Sequence, residues 1–407
     1  MRVLHTSDWH LGKPLEGRDR LEEQGKVLDE MVELAEAENV HLVLLAGDIF
    51  DTFNPPAAAE DLFYDAIDRL AAGGRRAVVI IAGNHDQPSR LTASQPLAGR
   101  QGISILGLPE DILPPGGKAG GVQCIRSARS LVELAIPGCD HTTVIAALPY
   151  PSEARLNQVL SESTREDLLQ QAYAARVRSV LTELSAFYRP DAVNLAMSHL
   201  FVSGSQESGV ESGERQIQVG GAYSVTAADF PETAQYVALG HLHRPQSVGG
   251  QERVRYSGSP LAYSFSETHT KSVVLLDVEP GKPADIRQIQ LSAGRPLVVW
   301  KAREGMAQAL AWCDEGRDAE AWISLEVHSD RPLEPLDISE LRKRRERILP
   351  IKFVPTGMVQ VDTPEKRSSL SQEELFRQFY RSRRKGDPSD ALVQLFLELS
   401  QTTDPES

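Results

Sequence analysis

Arg2-Val3-Leu4-His5-Thr6-Ser7-Asp8-Trp9-His10 opens the chain with a strand-like apolar run that leads straight into two metal-type ligands. The pattern returns twice. Leu42 to Ala46 runs into Gly47-Asp48-Ile49-Phe50-Asp51, and Ala77 to Ile81 runs into Gly83-Asn84-His85-Asp86. Helical patterns over Leu21 to Ala37 and Ala57 to Ala72 separate these runs. Short apolar runs alternating with longer helical stretches are the signature of an α/β sheet. Later strand candidates are Val144 to Ala147, Val193 to Ser198, Tyr236 to Leu239, Val254 to Ser257 and Ser272 to Val278. Two of them also end on ligand types, in Ser198-His199 and Gly240-His241-Leu242-His243.

In open α/β sheets, functional groups converge in the crevice beyond the carboxyl ends of the strands, so these five segments can share one site. An isolated Asp-x-His or Gly-Asn-His is ordinarily a loop turn, and His241 with His243 alone could be a surface pair. Five such segments, each following a strand, are another matter. Imidazole and carboxylate ligands without thiolate suit manganese, iron or zinc, and six-coordinate Mn²⁺ tolerates such a set well. Two neighbouring cations need a bridging anion, for which Asp48 is the candidate, and such a pair can activate water and clamp an in-line displacement at phosphorus. His5, His41, His141, His269 and His328 have no comparable setting and read as structural or solvated, although His5 abuts the site.

The chain has 407 residues with 41% apolar content, enough for two or three domains with substantial cores. Neither a secretory signal pattern nor an apolar run of about 18 residues occurs, so a soluble cytoplasmic protein is expected. Cys124, Cys139 and Cys313 are too few and too scattered for a disulfide framework or a zinc cluster. A net charge of -14 argues against coating nucleic acid by bulk electrostatics; a DNA-acting enzyme with this charge needs local basic patches or metal ions.

Pro280-Gly281-Lys282-Pro283 reads as a linker that closes a main domain at residue 279 and opens a small α+β domain over 280–355. Within that domain Arg342, Lys343, Arg344, Arg345 and Arg347 follow a helix start near Asp337. The run is either a solvated face or a steering patch for DNA phosphates, with Arg342, Arg344 and Arg345 as its contacts. A polar linker over 356–369 leads to a helical pair over 370–407, which starts with the capping box Ser371-Gln372-Glu373-Glu374. Leu375, Phe376 and Phe379, then Leu392, Leu395, Phe396 and Leu399, form apolar stripes that two short helices cannot bury alone, which suits docking on a partner.

Asp8-x-His10, Gly47-Asp48-x-x-Asp51, Gly83-Asn84-His85-Asp86, His199 and Gly240-His241-x-His243 together resemble the signature of the calcineurin-like metallophosphoesterases. The resemblance implies a four-layer α/β/β/α sandwich. It also implies one metal on Asp8, His10, Asp48 and His243 and another on Asp48, Asn84, His199 and His241. His85 is then the acid for the leaving oxygen, and Asp86 is counted with it as catalytic. Within that superfamily, His5-Thr6-Ser7-Asp8-Trp9-His10-Leu11-Gly12 and Arg255-Tyr256-Ser257-Gly258-Ser259-Pro260-Leu261 look like the SbcD family of bacterial nuclease subunits. That likeness covers nearly the whole chain. It implies a manganese-dependent exonuclease and endonuclease acting on DNA ends and hairpins, a DNA-capping small domain, C-terminal helices docking on an SbcC-type coiled-coil ATPase, and a homodimer through helices around 57–70 and 89–98. Where protein phosphatases follow the Gly-Asp-x-x-Asp segment with Arg-Gly, this chain has Thr52-Phe53, which favours a diester over a monoester. A diesterase for small nucleotides and a non-catalytic scaffold are the alternative readings.

Overall fold

The computed structural model describes residues 1–152, 154–156, 166–206 and 224–356, together with 376, 377, 380, 388, 389, 392 and 393. Two sheets stack face to face. The first has six strands in the order Asp285–Gln290, Ser272–Asp277, Arg2–Thr6, Leu42–Ala46, Ala77–Ile81, Ile103–Leu106, the last four running parallel. The second has eight, and its parallel centre is Gln251–Tyr256, Tyr236–Gly240, Val193–His199 and Thr142–Leu148.

Buried parallel strands read as unbroken apolar runs because both faces are covered. Leu42, Leu44 and Ala46 point between the sheets against Ile145, Leu195, Met197 and Ala238. Val43 and Leu45 point the other way, into a core with Val27, Met31, Phe63 and Ile67 from the helices Leu21–Ala37 and Ala57–Ala71. The outer face of the second sheet buries Tyr173, Val177 and Leu181 of the helix Glu166–Ser185. The result is the four-layer α/β/β/α sandwich. No helix among the described residues is long and apolar enough to cross a membrane.

Pro280 to Pro283 is not a linker. It lies in the turn of an antiparallel hairpin whose second strand, Asp285–Gln290, is the edge of the first sheet, paired along its length with Ser272–Asp277. The main domain therefore runs to Gln290, and the crossing to the small unit falls between there and Leu297. That unit was expected to be α+β, but its strands Leu297–Ala302, Trp322–Ser329 and Ile348–Pro355 are parallel. The helices Met306–Asp314 and Pro335–Arg344 connect them, because parallel neighbours require crossovers. Of the C-terminal stripe, Phe376 and Leu392 are half-buried. Leu375, Phe379, Leu395, Phe396 and Leu399 lie outside the described residues, as do the capping box at 371–374 and nearly all of the 356–369 linker.

Candidate metal centre

The carboxyl ends of the parallel strands of the two sheets meet. A Cβ on Gly240 would collide with the carbonyl oxygen of Ala46, and one on Gly83 with the carboxylate and amide of Asp48, so these segments approach more closely than any side chain permits. Adjacent ligand loops are laced by backbone bonds: Asp8 N to Gly47 O, His10 N to Asp48 O and Leu11 N to Ile49 O, all near 3.0 Å. The loops turn through conformations that L residues seldom adopt. Asp8, His10, Asp48 and His241 have φ of 54°, 44°, 51° and 110°. Each such residue costs roughly 1–3 kcal/mol, and such strain persists where surrounding structure fixes it, commonly at functional sites.

All seven expected ligands come together. His10 Nε2 faces His243 Nε2 at 3.1 Å, and Asp8, His10 and His243 form one compact ligand group. Asp8, Asp48 and His199 form a second. Asn84 Oδ1 sits 2.8 Å from His199 Nε2 and 3.2 Å from His241 Nδ1. Asp48 lies between the groups: its Oδ1 accepts from His85 N at 2.9 Å, while its Oδ2 is 3.4 Å from His199 Nε2, 3.7 Å from His10 Nε2 and 3.9 Å from His85 Nε2. The His199 ring is oriented from behind, its Nδ1 donating to Ala46 O at 2.9 Å, which turns Nε2 inward toward Asp48; burial opposes charge on this imidazole, but Asp48 raises its pKa to about 9.

Burial governs the charges. It pushes the His10 imidazole well below the usual histidine range and His241 down to about 3, so both offer lone pairs. It also works against ionised Asp48, but His199 and His85 beside it hold that carboxyl well below its ordinary value. Burial raises Asp8, partly opposed by His199 and His243. Imidazole nitrogens of His10 and His243 facing each other, an anionic carboxylate between the two groups and a buried, unpartnered His10 Nδ1 make a donor set that fits divalent cations.

His85 fits its expected place. Its Nδ1 donates to Asp51 O at 2.7 Å, so Nε2 points to the Asp48 side of the cleft. Asp86 does not. Its two oxygens accept backbone N–H bonds from Ile49, Phe50 and Gly83 at 2.8–3.2 Å, and it is fully buried. It pins the second ligand loop to the third through these three backbone amides, a structural setting that the catalytic expectation did not include. Asp51 pairs with Lys13 at 2.8 Å and lies 3.7 Å from His10 Nδ1. Arg155, which sequence reasoning passed over, donates to Gly83 O and Asp86 O and so clamps the Asn84-His85 turn from outside. Glu267 was also missed, and its Oε1 lies 3.1 Å from His243 Nδ1. Burial disfavours its charge, but Lys271 and His243 hold its pKa down to about 2.

Two of the other histidines sit in structural hydrogen bonds. His5 is buried between the sheets on Tyr236 Oη and Leu239 O, and His41 accepts from Arg2 N. His269 reaches the rim of the cleft, 2.9 Å from His243 O. In the small unit, two of the three cations expected on DNA are committed elsewhere. Arg344 pairs with Asp314 and Glu340, and Arg345 donates to Arg317 O and Asp318 O. Arg342 and Lys343 are exposed and line an open surface depression with Pro335, Ile338 and Ser339.

The family model described as "Calcineurin-like phosphoesterase" matches residues 1–245. The whole chain is similar to the SbcD component of the SbcCD nuclease of Bacillus subtilis, at 42% identity over 409 residues covering 100% of this chain and 99% of that one. The SbcD components of the same nuclease from Rhodobacter capsulatus and Escherichia coli K12 are 35% and 30% identical. They cover 82% and 86% of this chain, and 82% and 87% of their own lengths.

Proposed function

The chain belongs to the calcineurin-like phosphoesterases and, within them, to the SbcD nuclease family, which makes it a metal-dependent nuclease; from that premise we propose that it hydrolyses phosphodiesters at double-stranded DNA ends and in hairpins. It acts as exonuclease and endonuclease together with an SbcC-type coiled-coil ATPase, in DNA repair, recombination and replication. The observation that carries this reading is the convergence of Asp8, His10, Asp48, Asn84, His199, His241 and His243, from five strand ends, around one carboxylate.

In this proposal Asp8, His10, Asp48 and His243 hold one divalent cation and Asp48, Asn84, His199 and His241 the other. Oxygen and imidazole donors without sulfur suit Mn²⁺. Bound there, the cations would polarise the phosphoryl oxygens and acidify water at neutral pH. Asp48 keeps both groups in register through Oδ2, which faces His10 of one and His199 of the other, while Oδ1 is held by the His85 amide. His85, anchored at Nδ1–H by Asp51 O, presents Nε2 to the leaving oxygen and, in its doubly protonated form, supplies the Nε2 proton to it. The absence of an arginine after Asp51, where Thr52-Phe53 follows, favours a diester whose charge is met mainly by the cations.

Further elements of the proposal have their own support. The helix Ala57–Ala71 and the short helix Pro88–Leu91 are joined by Arg90 on Glu60 and leave Tyr64 partly exposed. Phe53 and Leu97 are also exposed in the flanking segments, which suits a homodimer surface. The C-terminal stripe around Phe376 and Leu392 is assigned to the ATPase. The test is purified protein with MnCl₂ and end-labelled duplex and hairpin DNA, alone and with its ATPase. Metal-dependent cleavage is expected; inertness in both settings would overturn the proposal.

A further inference from the structure

The run Ser257-Gly258-Ser259-Pro260-Leu261 and its continuation to Lys271 lie beyond the matched residues 1–245, yet this strap reaches every member of one ligand group. Ser257 Oγ is 2.8 Å from Ser7 Oγ, which donates to Asp8 Oδ2 at 2.5 Å. The Tyr263 hydroxyl donates to the carbonyl of Trp9, between Asp8 and His10, and its ring stands edge-on to both His10 and His243 at 5.5 and 5.8 Å. Glu267 receives His243 Nδ1. Lys271 Nζ then locks Glu267, donating to its Oε2 at 2.5 Å, to Ser259 Oγ at 2.8 Å and to His243 O at 3.3 Å. Among the described residues the other group is held differently: His199 leans on a backbone carbonyl, Asn84 and His241 meet each other directly, and Arg155 clamps the turn that carries Asn84.

We propose that Glu267, held by Lys271, is the positioning residue that fixes His243 as a ligand, so that the strap controls the Asp8–His10–His243 half of the centre separately from the other half. This inference rests on the two-metal reading above. An acceptor at Nδ1 puts the ring proton there and leaves Nε2 as the lone-pair donor, 3.1 Å from His10 Nε2. A carboxylate does this more strongly than a carbonyl and adds negative charge behind the ligand, and loss of such a partner typically costs 10–100-fold in metal affinity. Lys271 is what permits an anion there, since the Glu267 side chain is 0% exposed and an unpaired buried carboxylate would be strongly disfavoured.

The experiment uses full-length protein stripped by chelation and titrated with MnCl₂, followed by calorimetry and by the electron paramagnetic resonance of free and bound Mn²⁺. Wild type should take up two equivalents. Glu267→Ala should weaken one of them by about 10–100-fold and leave the other nearly unchanged. A pair that merely tied down the strap would change the melting temperature of the metal-free protein without splitting the two affinities. If Glu267→Ala does not fold, Lys271→Met, which leaves the carboxylate but frees it, serves the same test with a smaller split in the same direction. Two wild-type affinities in a folded variant, or equal weakening of both, would overturn the role of Glu267 while leaving the two-metal centre standing. Wild-type protein that binds no Mn²⁺ would overturn the two-metal reading and this inference with it.

Discussion

In the cleft between the sheets, charged groups are buried and answered by partners from distant segments; on the helix Pro335–Arg344 the cations are exposed, and Arg344 is answered by acids close by. Asp48 is 2% exposed and meets His10, His85 and His199, residues spread across most of the main domain. Arg344 meets Glu340 one turn earlier and Asp314 on the facing helix. The first arrangement fixes distances to tenths of an ångström, as chemistry at phosphorus requires, and tolerates little change. The second leaves a modest, salt-screened field that can meet a flexible polyanion in many registers.

The comparison is broken most severely at its buried end. Asp48→Asn removes the negative charge shared by both ligand groups, so both metal equivalents should weaken together in a Mn²⁺ titration. Turnover should fall by about 10³-fold or more, since each ion is worth several kcal/mol of transition-state stabilisation. Retention of two tight metals and full activity would place the bridge elsewhere. His85→Ala should separate chemistry from binding: metal content stays at two, while turnover on duplex DNA drops by roughly 10²-fold or more, the usual contribution of a positioned acid. Loss of metal in that variant would make His85 a ligand.

These two regions also differed in how much could be read ahead of the structure. The convergence of the seven candidate ligands was legible because metal chemistry restricts residue types and parallel strands deliver them at one sheet end. Glu267 was not, because an acid in an irregular segment carries no period or motif, and only folding brings it to His243. The setting of Asp86 was hidden for the opposite reason. Asp86 has the right residue type beside His85, and nothing in the chain order reveals that backbone amides occupy its oxygens. Pro280–Pro283 failed because a hairpin turn and a linker share composition, and only the pairing of Ser272–Asp277 with Asp285–Gln290 separates them. On the cationic helix the start was read correctly near Asp337, but not which cations its neighbours neutralise.

A smaller effect is expected where the two regions join. Glu23, on the helix Leu21–Ala37, accepts from Trp322 Nε1 at 2.6 Å, from Arg20 at 2.9 Å and from Arg295 N at 3.3 Å, tying the small unit to the main domain. The next residue, Gln24, donates to His10 O and accepts from Gly12 N, so the same helix also supports a ligand loop. Glu23→Ala leaves buried donors unanswered and should cost about 2 kcal/mol in a denaturant melt. DNA cleavage should suffer more than hydrolysis of a small soluble diester, because the small unit shifts while the cleft stays closed. Equal losses on both substrates would mean that the helix transmits the change to His10.

The smallest effect belongs to the exposed cations, and it divides them. Arg342 and Lys343 are exposed at an open depression, so the double change to alanine should leave small-diester hydrolysis and melting unaltered. It should lower the slope of log binding constant against log salt for duplex DNA by about 2, near one unit for each phosphate no longer neutralised. Arg345→Ala should do the reverse. Its guanidinium holds the carbonyls of Arg317 and Asp318, so its removal should destabilise the small unit by about 1 kcal/mol and change the salt slope little. Measured in parallel, the two slopes separate a field that guides DNA from one that only holds its own domain together. If Arg345 changed the slope and Arg342 with Lys343 did not, the DNA track would lie toward the Arg317–Asp318 turn and away from the open face of the helix.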